Sequence, residues 1–170
     1  IWKDRPALAA SRVWILEERF TGRSAADKLE AVRAEMKKQG AQVHLITSLD
    51  DIAWLLNLRG DDIPCNPVFL SYMIIDLERA WLFANPVDFD EDARKYLADL
   101  NVQLAPYDRF YEAVRQLKDT TVLLESGKTN YATMTELSDS VRIVDAMLPT
   151  SLWKSQKNEV EIENMKRAHV

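Results

Sequence analysis

The sequence is poor in the residues that build most catalytic metal centres and nucleophile sites. Its 170 residues include two histidines, one cysteine and four glycines. A single cysteine excludes an intrachain disulfide and is typical of a cytoplasmic protein. The sequence has no His-Glu-x-x-His pair and no Gly-x-Ser-x-Gly turn. We therefore expect no catalytic residue and no metal ligand set in this chain.

The few chemically versatile residues that are present have simpler interpretations. His44 lies within an apolar stretch, which predicts a hydrogen-bonded histidine in a strand. Cys65 has no neighbouring base, so we interpret it as a small apolar filler. The sequence 127–129 reads Gly-Lys-Thr, but Val122 stands where a phosphate-binding loop needs a glycine. Asp50 and Asp51 are expected to open a helix, where its dipole favours negative charge.

Long apolar runs and an excess of positive charge are also missing. No apolar run reaches the roughly 18–20 residues that a membrane-spanning helix needs. The formal net charge of −5 argues against a nucleic-acid partner. The N-terminus has no signal-peptide pattern, and the helical pattern at the C-terminus has no glycine or asparagine to end it. We therefore expect a piece of a longer protein.

Hydrophobic periodicity and turn residues predict alternating helices and strands. Helices are predicted over 24–39, 49–56, 90–100, 107–118, 130–139 and 155–170, and strands over 42–47, 68–76, 80–84, 101–104, 121–125 and 141–144. This order predicts an α/β fold with a mixed β-sheet flanked by helices on both faces.

The same pattern predicts three parts along the chain. Residues 1–19 are the tail of a preceding domain or a linker, 20–152 form the α/β domain, and 153–170 begin a connector helix. Residues 1–16 and 155–170 are expected to lie outside the core.

A polar loop over 57–67 is the candidate binding segment. It contains Arg59, Asp61, Asp62 and Asn66 together with two prolines, and stiff loops that carry an arginine are often binding surfaces. The alternative is a self-satisfied turn in which Arg59 pairs with an acid of its own loop. Both interpretations stay open from the residues alone.

Several strings in the sequence resemble the aminopeptidase P (Xaa-Pro aminopeptidase) family. They are Ser48-Leu-Asp-Asp-Ile-Ala-Trp-Leu-Leu-Asn-Leu-Arg-Gly60, Asp61-Asp-Ile-Pro64, Asn66-Pro-Val-Phe69, Ile1-Trp-Lys-Asp-Arg-Pro6, Gly22-Arg-Ser-Ala-Ala-Asp-Lys28 and Lys157-Asn-Glu-Val-Glu-Ile-Glu-Asn-Met165. Cys65 departs from the residue expected at its place in relatives.

The resemblance implies a creatinase/prolidase N-terminal domain fold. It implies a parent enzyme that removes the residue before proline with two divalent metal ions, manganese or zinc, bound by two Asp, one His and two Glu of a catalytic domain. None of those motif positions lies in this chain.

The resemblance also implies partners and roles. The partners are proline-containing peptides and the chain's own catalytic domain, with a possible homo-oligomer and neither nucleic acid nor membrane, in a cytoplasmic protein. Arg59, Asp61, Asp62 and Asn66 are the implied substrate- or interdomain-binding residues. A stand-alone binding or regulatory domain, or the equivalent domain of a prolidase (Xaa-Pro dipeptidase), remains an alternative.

Overall fold

The computed structural model describes Asp4 and residues 10–169. Predictions that concern residues 1–3, 5–9 and 170 lie outside the described part. In chain order the elements are β1 Trp14–Ile15, α1 Glu18–Thr21, α2 Ala25–Lys38, β2 Val43–Ile46, α3 Leu49–Leu55, β3 Leu58–Arg59, β4 Ser71–Asp76, β5 Ala80–Ala84, α4 Glu91–Asp99, β6 Val102–Pro106, α5 Phe110–Gln116, β7 Thr121–Leu124, α6 Tyr131–Glu136, β8 Arg142–Asp145, α7 Pro149–Ser155 and α8 Glu159–Ala168.

The main sheet is mixed, as the sequence predicts. Its strand order is β6-β5-β4-β2-β7-β8. Strand β4 is antiparallel to both β5 and β2, whereas β5–β6, β2–β7 and β7–β8 are parallel pairs. Strands β1 and β3 form a separate antiparallel pair in which Trp14 lies opposite Arg59.

Helices cover both faces of the sheet, which confirms the predicted fold class. One face packs against α2, α3, α4 and α7 through a core that includes Leu29, Ile52 and Leu97. The other packs against α5 and α6, with Phe110 and Val114 buried against it. Helix α2 supplies its apolar face at helical spacing, and Ser24 accepts a hydrogen bond from the backbone N–H of Asp27, as expected of a helix N-cap.

The N-terminal part of the chain contributes to this core. Val13 is fully buried in the core that also contains Leu29 and Ile52, and its backbone N–H donates to the carbonyl oxygen of Asp88 at 2.8 Å. The expectation that 1–16 lies outside the core is therefore wrong at Val13, where the chain enters the strand pair. The domain boundary near residue 20 stays a prediction.

The C-terminal part differs from the single helix predicted over 155–170. Helix α7 ends at Ser155, and α8 begins after Asn158, whose side chain forms a capping box with Glu161. The capping box starts a new helix because its two side chains accept from backbone N–H groups that have no carbonyl partner at a helix N-terminus. In a continuous helix, those N–H groups would bond to carbonyls of the preceding turn. Within α8, Glu163 and Arg167 form an ion pair at 3.5 Å, at the i,i+4 spacing that stabilises a helix.

A buried carboxylate holds α7 against α3. Asp51 is fully buried and pairs with Lys154 at 3.1 Å and Lys128 at 3.9 Å. Its role thus goes beyond the helix-opening charge that the sequence predicts. Ser48, the residue before α3, donates its hydroxyl to Asp50 and makes no side-chain capping hydrogen bond.

His44 is a hydrogen-bonded histidine in a strand, as the sequence predicts. It is fully buried, its Nδ1 lies 2.9 Å from the carbonyl oxygen of Leu123, and burial lowers its pKa to about 4. In the described part of the chain, no helix is both long and apolar enough to cross a membrane.

Candidate binding groove

A groove of about 700 Å³ lies between α1 and α8, and β3 and α3 contribute to its lining. Two side-chain amides fix its walls. Asn158 Nδ2 donates to the carbonyl oxygen of Thr21 at 2.8 Å, and Asn164 Nδ2 donates to that of Phe20 at 2.9 Å. Helix α8 is thus attached to the domain through polar contacts, although none of its residues is fully buried.

Lys28 lies on the buried side of α2 and lines the groove with only 1% of its surface exposed. Its Nζ donates to the carbonyl oxygen of Trp54 at 2.8 Å and to Asn57 Oδ1 at 2.6 Å, and it sits 4.0 Å from the centre of the Trp54 ring. Burial lowers the Lys28 pKa to about 8, Glu161 opposes this, and Arg59 adds to it. The ammonium is therefore fixed by two acceptors and an aromatic face.

Arg59 is anchored on one side only. Its Nη1 donates to the carbonyl oxygens of Ala53 and Leu58, each at 2.8 Å. Burial lowers the Arg59 pKa, and the charge of Glu161 opposes that shift. Within residues 10–169, neither Nε nor Nη2 has a hydrogen-bond acceptor, and the residue lines the groove. Pairing of Arg59 with an acid of its own loop is therefore not what the structure shows, because main-chain carbonyls take that place.

The other predicted site residues have different partners. Asp62 accepts from Ser11 Oγ at 2.6 Å and from the backbone N–H of Leu70 at 2.7 Å. The backbone N–H of Asp61 donates to Ser11 Oγ at 3.0 Å. Asn66 is exposed, and its backbone closes a tight turn with Ile63. None of these three residues lines the groove with Arg59, so the structure does not bring the predicted set together, and their binding role stays a prediction.

The glycine that follows Arg59 is required by packing. A Cβ on Gly60 would lie 2.7 Å from Phe69 Cβ and 3.2 Å from the carbonyl oxygen of Val68. Only glycine permits this approach, because real Cβ contacts are longer. Close packing of 58–60 on 68–69 thus fixes the position from which Arg59 reaches the groove.

The groove is positively charged in a chain of net negative charge. Four cationic residues, Lys28, Arg59, Lys157 and Arg167, line it together with one carboxylate, Glu161. Its other lining residues include Phe20, Trp54 and Met165. An apolar surface edged with guanidinium and ammonium groups suits a ligand that combines a carboxylate with apolar groups.

Sequence reasoning missed Lys28, although the pattern holds a signal for it. Lys28 follows Ala25 by three residues and precedes Val32 by four, so it lies on the apolar stripe of α2 rather than on its solvent face. A lysine on such a stripe needs buried acceptors. Those acceptors, Trp54 and Asn57, lie in another element and have no local signature.

Comparison with known proteins places this geometry in a family. The Creatinase/Prolidase N-terminal domain family matches residues 4–161. The chain is 33% identical over 183 aligned positions to a probable Xaa-Pro aminopeptidase P of Colletotrichum graminicola, covering 100% of this chain and 30% of the fungal protein. It is 36% identical over 169 positions to Xaa-Pro aminopeptidase 1 of Dictyostelium discoideum, covering 99% of this chain and 27% of that protein.

Solved structures agree with the sequence relatives. The X-prolyl aminopeptidase of Caenorhabditis elegans, described as a cytosolic enzyme with a di-nuclear active site, matches with a TM-score of 0.90 and 29% identity over 99% of this chain and 28% of that chain. The Xaa-Pro dipeptidase of Bacillus anthracis, at 13% identity and a TM-score of 0.57, shares the fold. This chain thus spans about 30% of the length of the relatives that it matches. It belongs to the Creatinase/Prolidase N-terminal domain family.

Proposed function

We propose that this chain is the non-catalytic N-terminal-type domain of a metal-dependent Xaa-Pro aminopeptidase, which removes the residue before proline. The match of almost the whole chain to about 30% of named Xaa-Pro aminopeptidases carries this proposal. The C. elegans structure supports it, because the fold similarity extends over 99% of this chain.

The donor groups in the described part of the chain do not fit a two-metal centre. Among residues 10–169, no group of three or more His, Cys, Asp or Glu side chains is arranged to hold a metal ion. His44 is buried with one ring nitrogen on a backbone carbonyl, and the fully buried carboxylate Asp51 is paired with lysines. We therefore place the two divalent ions, manganese or zinc, in the part of the parent protein outside this chain.

The proposed role of the domain is to shape access of proline-containing peptides to the catalytic domain, in a cytoplasmic enzyme. The segment from Arg59 to Pro67 is the proposed face toward the cleft, because its prolines and the hydrogen bonds of the Asp62 carboxylate to Ser11 and Leu70 support a fixed loop shape. Assembly into a homo-oligomer also stays a prediction.

The test compares the 170-residue chain with its full-length parent protein. Both are incubated with an Xaa-Pro tripeptide and an Xaa-Pro dipeptide in the presence of manganese, zinc or cobalt. We expect release of the N-terminal amino acid from the tripeptide by the parent alone. Activity of the isolated chain would contradict its non-catalytic role. Cleavage by the parent of the dipeptide only would identify a prolidase, and no activity of the parent would favour a binding or regulatory protein without catalysis.

A further inference from the structure

We propose that the groove between α1 and α8 binds an acidic side chain flanked by apolar residues, carried by the part of the parent protein that follows residue 170. This inference rests on the proposed function, because it names the partner surface by which the domain joins its catalytic part.

The charge of the groove defines the chemistry of the occupant. Lys28, Arg59, Lys157 and Arg167 surround it with Glu161 as the one carboxylate in the lining, whereas the whole chain carries a net charge of −5. A local excess of positive charge on an acidic domain favours an anionic partner, and the low dielectric of a covered groove strengthens that preference.

Arg59 defines where the carboxylate sits. Two of the five guanidinium N–H groups are used by the carbonyl oxygens of Ala53 and Leu58, which holds the plane of the guanidinium. Nε and Nη2 remain for a partner, and together they match the two oxygens of a carboxylate. Lys28 does not compete, because its Nζ is already bound to Trp54 and Asn57.

The apolar surface defines the neighbours of that carboxylate. Phe20 in α1 is 43% exposed and Met165 in α8 is 49% exposed, and Trp54 also lines the groove. Large side chains left open beside a charged anchor are typical of a surface that another element covers.

The position of α8 selects the part of the protein that provides the occupant. Arg167 and Ala168, near the end of α8, line the groove, so a following segment starts next to it. The chain covers about 30% of its relatives, so most of the parent protein lies outside this chain. Tethering gives such a segment a high effective concentration at the groove.

The experiment compares hydrogen exchange of the 16–21 and 159–168 amides in the 170-residue chain and in the full-length parent. We expect exchange in the parent to be slower by about tenfold or more, the ratio that corresponds to one charge-assisted contact. Zero-length carbodiimide coupling followed by mass spectrometry should join Lys157 to an Asp or Glu numbered above 170.

Variants separate docking from folding. Arg59→Ala in the parent should remove most of the added protection. Because that change also releases two internal anchors, a second variant with Lys157→Ala and Arg167→Ala alters only the exposed edge and should reduce protection in the same direction. Arg142→Ala, on the exposed edge strand β8, is the matched control and should leave exchange unchanged.

Each other outcome overturns the inference. Equal exchange in chain and parent, or coupling of Lys157 only to residues below 170, shows that no following segment covers the groove. Protection that grows with the concentration of the isolated chain shows that a second copy is the occupant.

The peptidase assay tests the proposed function independently of the docking. A covered groove in an inactive parent would refute the proposed function alone, and an uncovered groove in an active parent would refute the docking alone.

Discussion

Lys28→Met tests how a buried ammonium contributes to this fold. The substitution keeps the length of the side chain and removes its charge and its hydrogen bonds. In the native protein, Lys28 Nζ satisfies the carbonyl oxygen of Trp54 and Asn57 Oδ1. Both acceptors lose their donor in the variant, and each buried acceptor without a partner costs about 1–3 kcal/mol.

Removal of the buried Lys28 charge has the opposite effect on the free energy of unfolding. Burial lowers the Lys28 pKa from 10.5 to about 8, so the folded state binds this proton less tightly than the unfolded state does. Between about pH 8 and 10.5 the unfolded state therefore holds more protons, and the wild type becomes more stable as pH rises. At 1.36 kcal/mol per pH unit, the gain reaches at most about 3 kcal/mol. Met gains nothing over that range.

The two effects predict a pH-dependent difference between the proteins. Lys28→Met should cost about 0–1 kcal/mol at pH 7, where relief of charge burial offsets the lost bonds, and about 2–4 kcal/mol at pH 10. Urea unfolding of both proteins at pH 7, 8, 9 and 10 measures this difference. Lys95→Met, at an exposed position of α4, is the control and should stay within about 0.5 kcal/mol of wild type. Parallel curves for wild type and Lys28→Met would refute the reasoning.

Two further substitutions test packing and a second buried charge. Gly60→Ala should lower the free energy of unfolding in urea by about 1–3 kcal/mol, because the added Cβ would lie against Phe69. Gly127→Ala is the control and should be close to neutral, because its Cβ would meet no atom within 4 Å. Equal effects of the two substitutions would contradict the packing argument. Burial, aided by the charge of Asp62, raises the Asp88 pKa from 3.8 to about 6, so the folded state binds this proton more tightly and stability falls as pH rises from about 4 to 6. Asp88→Asn should remove that fall and stabilise the protein at pH 7 by about 1–2 kcal/mol, which is less than the full value of the pKa shift because solvent partly screens this carboxylate. An unchanged pH profile of the unfolding midpoint would show that Asp88 is not its source.

The sequence predicts the fold better than the groove, because the signals for helices and strands lie in neighbouring residues. Periodicity and caps are properties of neighbouring residues, and they located α2 and the hairpin of β4 and β5 to within a few residues. Helix α7 was missed, and so was the capping box at Asn158 that interrupts the predicted last helix. Asn158 at the N-cap and Glu161 three residues later were visible in the sequence, but the continuous polar pattern favoured one helix.

The groove depends on contacts between distant parts of the chain. Arg59 was identified from its loop, but its orientation comes from the pairing of β3 with β1 and from the carbonyl of Ala53. Asp51 was interpreted as a helix-opening charge, whereas its burial requires Lys154, which lies 103 residues further along the sequence. Neither partner can be recognised from the sequence around the residue it contacts.

The sheet order has a consequence for how the domain folds. Strands β4 and β5 are joined by three residues and β6 adds beside β5, so this half of the sheet forms from contacts that are close along the chain. On the other side of β2, His44 meets Leu123 across 79 residues of sequence. Closing so long a loop costs entropy before any strand contact compensates it, and such pairings form slowly. We therefore expect β4, β5 and β6 to pair first during folding. Strand β2 would then pair with β4, followed by β7 and β8.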